Sequence, residues 1–222
     1  MENNENEVKQ ESELKREAAD TLNQTKEQIK NMNFKEEAQK GKGLIGKLFK
    51  DPTGTIKEVV KDDKNHFYKT ALLIVGIWVA IVLLKEILSC IVYEYHEFNF
   101  LTTIKLVVSP ILKVLGLAII IHMLNKQNKQ PLTKSITAVA IAKIPVIIAA
   151  CLGFLTYISY NVTYVTSPIA SLLSIISTVL TFFVVKEMFN EEESDKALIT
   201  FVKVEAIYYL VVFVFSFLGI AL

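Results

Sequence analysis

Four charged residues in the second half of this chain, Lys113, Lys143, Lys203 and Glu205, sit inside long apolar runs. In such a setting each charge costs several kcal/mol unless it is paired or its stem reaches water. Two kinds of chemistry fit: an ion pair that holds helices together, or a relay that passes an ion or a substrate. A lysine stem can carry its ammonium toward an interface, whereas glutamate is shorter. Glu205 is therefore the residue that most needs an interior partner. Lys203, two positions away, points to a nearly opposite helix face. Lys143 has the matching depth, about 10 Å into its run against about 12 Å for Glu205 at 1.5 Å per residue. Lys113 is the deeper alternative. Lys85, Glu86 and Lys105 fall toward the other ends of their runs.

Other chemistries lack their residues. No HExxH, GxSxG, P-loop or paired-cysteine motif occurs. His66, His96 and His122 lie on three different segments and do not converge on a metal. Cys90 and Cys151, the only two cysteines, are expected as unpaired thiols in apolar helix. The net charge is +1 and the single arginine is Arg16, so a nucleic-acid partner has no electrostatic support. The chain reads as a non-enzyme without cofactor or metal.

The elements that carry these residues are long and apolar. Runs at about 70–92, 103–124, 136–158, 168–189 and 197–222 each supply the roughly 20 residues that cross a hydrocarbon core about 30 Å thick. Before Thr70 the composition is different: 14 of the 24 Lys+Arg and 14 of the 23 Asp+Glu lie there, which marks a polar arm ahead of a membrane bundle. The expected fold is all-α and polytopic, with five transmembrane helices. It divides into a charged arm at 1–50, a juxtamembrane amphipathic segment at 51–69 and the bundle at 70–222.

Orientation follows from the lysines. Lys126, Lys129 and Lys134 cluster between the second and third runs, and Lys186 and Lys196 between the fourth and fifth. The segments YEYHEFNFLTT and YISYNVTYVTS carry neither Lys nor Arg. The positive-inside rule then sets the N-terminus inside and the C-terminus outside. Tyr93, Tyr95, Phe98, Tyr157, Tyr160 and Tyr164 would form an aromatic belt at the outer face.

The arm has a thin helical stripe, Leu14, Ala18, Leu22, Thr25, Ile29 and Met32, that fits a marginal helix or a solvated, partly disordered segment. In KGKGLIGKLFK, Leu44, Ile45, Leu48 and Phe49 among lysines fit either an anionic leaflet or a linker. Thr53 or Thr55 is expected to cap a short helix through Ile56, Val59 and Val60. Pro110 and Pro145 can kink the second and third spans.

Helices in lipid are drawn together at small and hydroxyl residues rather than by hydrophobic burial. Ser167, Ser171, Ser174, Thr178 and Thr181 share one face of the fourth span, and Ala138, Ala142, Pro145, Ala149 and Gly153 one face of the third. Both are expected as packing seams; a hydrophilic conduit is the other reading of the Ser/Thr face.

The lead-in DPTGTIKEVVKDDK at 51–64, the five spans without large loops and the segment AIAKIPVIIAACLGF at 140–154 together resemble the Yip family of five-span membrane proteins, in its bacterial branch. The resemblance covers about residues 50–222. It implies a non-enzymatic protein whose partners are the lipid bilayer and other integral membrane proteins. An accessory subunit of an ABC-type exporter in a bacterial cell membrane would fit; the Rab-linked trafficking role of eukaryotic members does not transfer. A small transporter or channel using Lys113, Lys143 and Glu205 is the competing reading.

Overall fold

The computed structural model describes residues 2–93, 98–125 and 130–217, with side chains placed from Lys15 onward except at 160 and 217. Tyr95, His96, Lys126 and Lys129 lie outside the described residues, as do the side chains of Leu14 and Tyr160. Among the described residues the regular structure is entirely helical. Three helices precede the apolar runs: α1 (Glu2–Lys30), α2 (Phe34–Lys50) and α3 (Pro52–Lys61). The bundle then consists of α4 (Tyr68–Val92), α5 (Phe100–Leu124), α6 (Leu132–Ala142), α7 (Ile144–Leu152), α8 (Thr163–Phe189) and α9 (Ser194–Phe217). Two short 3-10 turns, Gly153–Tyr157 and Tyr160–Val162, join α7 to α8.

Helices α4, α5, α8 and α9 are each long and apolar enough to cross a membrane. The third expected span is not one rod. It divides at Lys143 into α6 and α7, inclined by about 40° to each other, and only the two together are long and apolar enough for a fifth crossing. The cause is Pro145, in the first turn of α7, which cannot donate a backbone bond to the preceding turn and crowds its carbonyls.

Helix α6 is the axis of the bundle. Every residue from Leu132 to Ala142 is buried, among them Ala138, Ala140 and Ala142 at the close approaches. Helices α4, α5, α8 and α3 surround it. Small side chains let the neighbouring backbones come near, which is the main attraction available to helices in lipid. Helix α9 is the opposite case: it lies chiefly against α8 and α5, and most of its described side chains face outward.

At the end where α4 begins and α5 ends, α2 and α3 wrap the bundle as a collar. The cap of α3 is Asp51, not a threonine: its carboxylate accepts from the Gly54 amide at 2.9 Å, and Pro52 opens the helix. An acidic residue just before a first-turn proline meets both N-terminal preferences at once. The Thr55 hydroxyl bonds back to the Asp51 carbonyl at 2.7 Å. Ile56, Val59 and Val60 are buried where α3 packs on α6 and α8. Leu44 and Leu48 of α2 are likewise buried against protein rather than free for a leaflet, while Phe49 is half exposed.

The buried charges at this end are paired. Glu37, 3% exposed, accepts from the Thr70 hydroxyl at 2.6 Å and from Lys40 Nζ at 3.0 Å. Lys134 buries its stem and reaches Asp63 at 3.1 Å. Asn65 Nδ2 donates to Thr133 Oγ1 at 2.7 Å, and Asn125 Nδ2 to the Met188 carbonyl at 2.7 Å. These bonds tie the ends of α5, α6 and α8 into one layer. Helix α1 joins it through Glu17, whose carboxylate accepts from the Leu132 amide at 3.0 Å and meets His122 Nε2 at 2.9 Å. The Thr25 and Tyr68 hydroxyls are also hydrogen-bonded.

Candidate functional site

A cavity of about 250 Å³ lies beside the bend at Lys143. It takes Trp78 from α4, Lys113 from α5, Lys143 and Val146 from the bend, Ser174, Ser177 and Thr178 from α8, and Tyr208, Tyr209 and Val212 from α9. Two of the four intramembrane charges singled out from sequence therefore meet in one space. Neither the Lys113 nor the Lys143 ammonium makes a hydrogen bond or ion pair among the described residues.

Glu205 lies within electrostatic range of Lys143 and of Tyr208, without a direct ion pair to either lysine. Lys113 and Lys143 also sense each other. Glu205 is half-buried. Lys203 is exposed on another face of α9, as its two-residue offset requires. The local charge is two ammonium groups against one carboxylate.

The hydroxyls of α8 divide in an unexpected way. Thr181 is buried at the contact with α6, as a seam residue should be. Ser171, Ser174 and Thr178 are not packed in the bundle but exposed on the outer side of α8. The packing face is instead Leu173, Ser177, Leu180, Val184 and Met188, one position round the helix from the expected stripe. Large apolar residues fill the inner contact, and one hydroxyl is needed there. Ser177 Oγ donates to the Ala142 carbonyl at 2.8 Å, at the break between α6 and α7. Neighbouring hydroxyls commonly serve carbonyls at a proline break in a membrane helix. Ser174 and Thr178 bond back to their own helix, to the carbonyls of Ala170 and Ser174.

Ser177 was legible in part: Pro145 implies a carbonyl in want of a donor. Which helix supplies it depends on pairing that one sequence does not reveal. The same holds for Glu17, Glu37 and Thr70.

The far end of the bundle is built from aromatic residues. The Tyr157 hydroxyl donates to the Lys85 carbonyl at 2.9 Å and meets Ser89 Oγ at 2.7 Å, with its ring against Tyr93 at 5.9 Å. Tyr93, Phe98 and Tyr164 are exposed there. Cys90 and Cys151 are free thiols. Among the described residues no three His, Cys, Asp or Glu side chains gather as a metal site.

No curated protein and no solved structure matches this chain. A family model does, the Yip1 domain, over residues 46–219. That stretch begins inside α2, takes in α3 and contains all the helices apolar enough to span, so α1 and about the first two-thirds of α2 precede it. With most of its length matched, this multi-pass membrane protein belongs to the Yip1 domain family.

Proposed function

We propose that this chain is a non-enzymatic scaffold that docks sideways onto another integral membrane protein through the face formed by α8 and α9. The observation that carries this reading is the position of Ser171, Ser174 and Thr178. They are small hydroxyl residues on an uncovered face, beside a cavity holding two lysines. Residues of this kind mark helix contacts in lipid. The collar, with its excess of lysines, faces the cytoplasm of a bacterial cell. In that membrane the chain acts as an accessory subunit of a larger assembly, of which an ABC-type exporter is one instance.

The test is cross-linking in native membranes from a photoreactive residue placed at Ser171 or Thr178, with Leu84 on α4 as the control. A discrete adduct from the α8 positions and none from Leu84 is expected. Equal labelling from all three positions would overturn the docking face. Solute flux through liposomes holding the purified chain alone would favour the transporter reading instead.

A further inference from the structure

We infer that the partner is a transmembrane helix bearing a carboxylate near its middle, which enters the α8–α9 groove and neutralises Lys113 and Lys143. This rests on the lateral docking proposed above and names the chemistry of what docks.

Charge is the first ground. The cavity is lined by two ammonium groups that make no ion pair or hydrogen bond within the described residues, and by no carboxylate; Glu205, outside the lining, is in electrostatic range of Lys143 alone. One further negative charge balances the set. A lone charge in lipid costs several kcal/mol and a paired one much less, so the free chain stores a drive toward an acidic partner.

Depth is the second ground. Counting 1.5 Å per residue from the collar-side ends of the apolar runs, Lys143 lies about 10 Å in and Lys113, Ser177 and Tyr208 about 16 to 18 Å. All four are well inside a hydrocarbon core about 30 Å thick. A phospholipid phosphate resides at the interface, so the geometry favours a carboxylate carried to this depth by a helix.

Access is the third. The cavity is lined by Ser174 and Thr178, which are exposed, and by Tyr209, 64% exposed. It thus lies next to the side where the hydroxyl stripe leaves room for a close backbone.

The full chain has one tryptophan, Trp78, and it lines the cavity. It can report occupancy directly. The probe is a synthetic tryptophan-free Leu/Ala helix of about 21 residues with one central Glu and a dansyl group beside it. A second peptide has Gln in place of Glu. Both are titrated into phosphatidylcholine vesicles holding the chain, and energy transfer from Trp78 is read. Saturable transfer is expected at about tenfold lower content of the Glu peptide, equivalent to about 1.4 kcal/mol. Lys113→Met with Lys143→Met should remove the preference, and Lys203→Met should keep it.

Equal, saturable transfer from both peptides would overturn the acidic partner while leaving lateral docking in place. Transfer that only follows peptide dilution would remove the groove as a docking face. A third arm replaces the peptide with brominated phosphatidylglycerol. Lysine-dependent quenching by that lipid, without any preference for Glu, would make the cavity a lipid-anion site and overturn the proposal. The Glu–Gln contrast uses the unaltered chain, so it stands even where a lysine variant fails to fold.

Discussion

The collar and the α8–α9 face handle charge in opposite ways. In the collar, Glu37 has Thr70 and Lys40, Lys134 has Asp63, and Glu17 has His122 and the Leu132 amide. At the α8–α9 face, Lys113 and Lys143 line a cavity and, among the described residues, make no hydrogen bond or ion pair, with Glu205 in range of Lys143 alone. A finished structural layer satisfies its polar groups internally, and on the function proposed above the open face leaves them for a partner.

If the collar is structural, emptying its core should do the most damage. Ile56, fully buried where α3 meets α6 and α8, is the sharpest place to ask. Ile56→Ala removes buried methyl groups and leaves a hole, at a cost of about 2–5 kcal/mol. Leu210→Ala on α9, where the side chain is 66% exposed, should change little in the isolated chain. Thermal unfolding in mild detergent compares the two. Equal losses would abolish the distinction between collar and open face.

The charge on the open face gives a smaller effect. Glu205→Leu leaves Lys143 without its neighbouring carboxylate, and Lys143→Leu does the converse. Each single variant should lower stability, and the double variant should recover part of the loss. The coupling expected across this gap is about 0.5–1 kcal/mol. No comparable coupling should join Glu205 to Lys113, because only Lys143 lies within range of it. A full set of double-mutant cycles by thermal shift decides this. Coupling to neither lysine would cut Glu205 out of the cavity's charge balance.

The hydroxyls of α8 sharpen the comparison within a single helix. Ser177→Ala deprives the Ala142 carbonyl of its donor at the break and should cost about 1 kcal/mol. Ser174→Ala deletes a hydroxyl that bonds only its own helix and should be close to neutral in the lone chain. In the cross-linking or peptide experiments the order should reverse, with Ser174 the more sensitive of the two.

The spans were legible because length and apolarity suffice to identify them, and Lys113, Lys143 and Glu205 stood out because charge is rare there. What sequence did not yield was rotation about a helix axis. Ser171, Ser174 and Thr178 share a face, but nothing in their spacing says whether that face meets α6 or the membrane. The bend at Lys143 shows the same limit: Pro145 announces the break, while the helix that serves the Ala142 carbonyl there, through Ser177, is set by tertiary pairing. Helix α1 shows it again. Its charged composition describes a solvated segment, yet Glu17 finds an amide and an imidazole that lie more than 100 residues away.

The smallest effect lies at the joint between collar and bundle. Burial pushes the Asp62 carboxyl up, but His66 and the amides of Phe67 and Lys64 outweigh it and hold the carboxyl below its ordinary value. A group held down in this way binds its proton more weakly in the folded chain than in the unfolded one. Its contribution is complete above the unfolded value, near pH 4, and fades as the pH falls through the folded value. Asp62→Asn should therefore melt lower than the parent at pH 7, by about 2 °C for a chain of this size, and the gap should narrow progressively as the pH is lowered below about 4. A gap that does not change with pH across the acid range would mean that Asp62 acts by shape and hydrogen bonding alone. The collar would then owe its strength at this joint to packing, and the division between satisfied and waiting charge would rest on Glu17, Glu37 and Lys134.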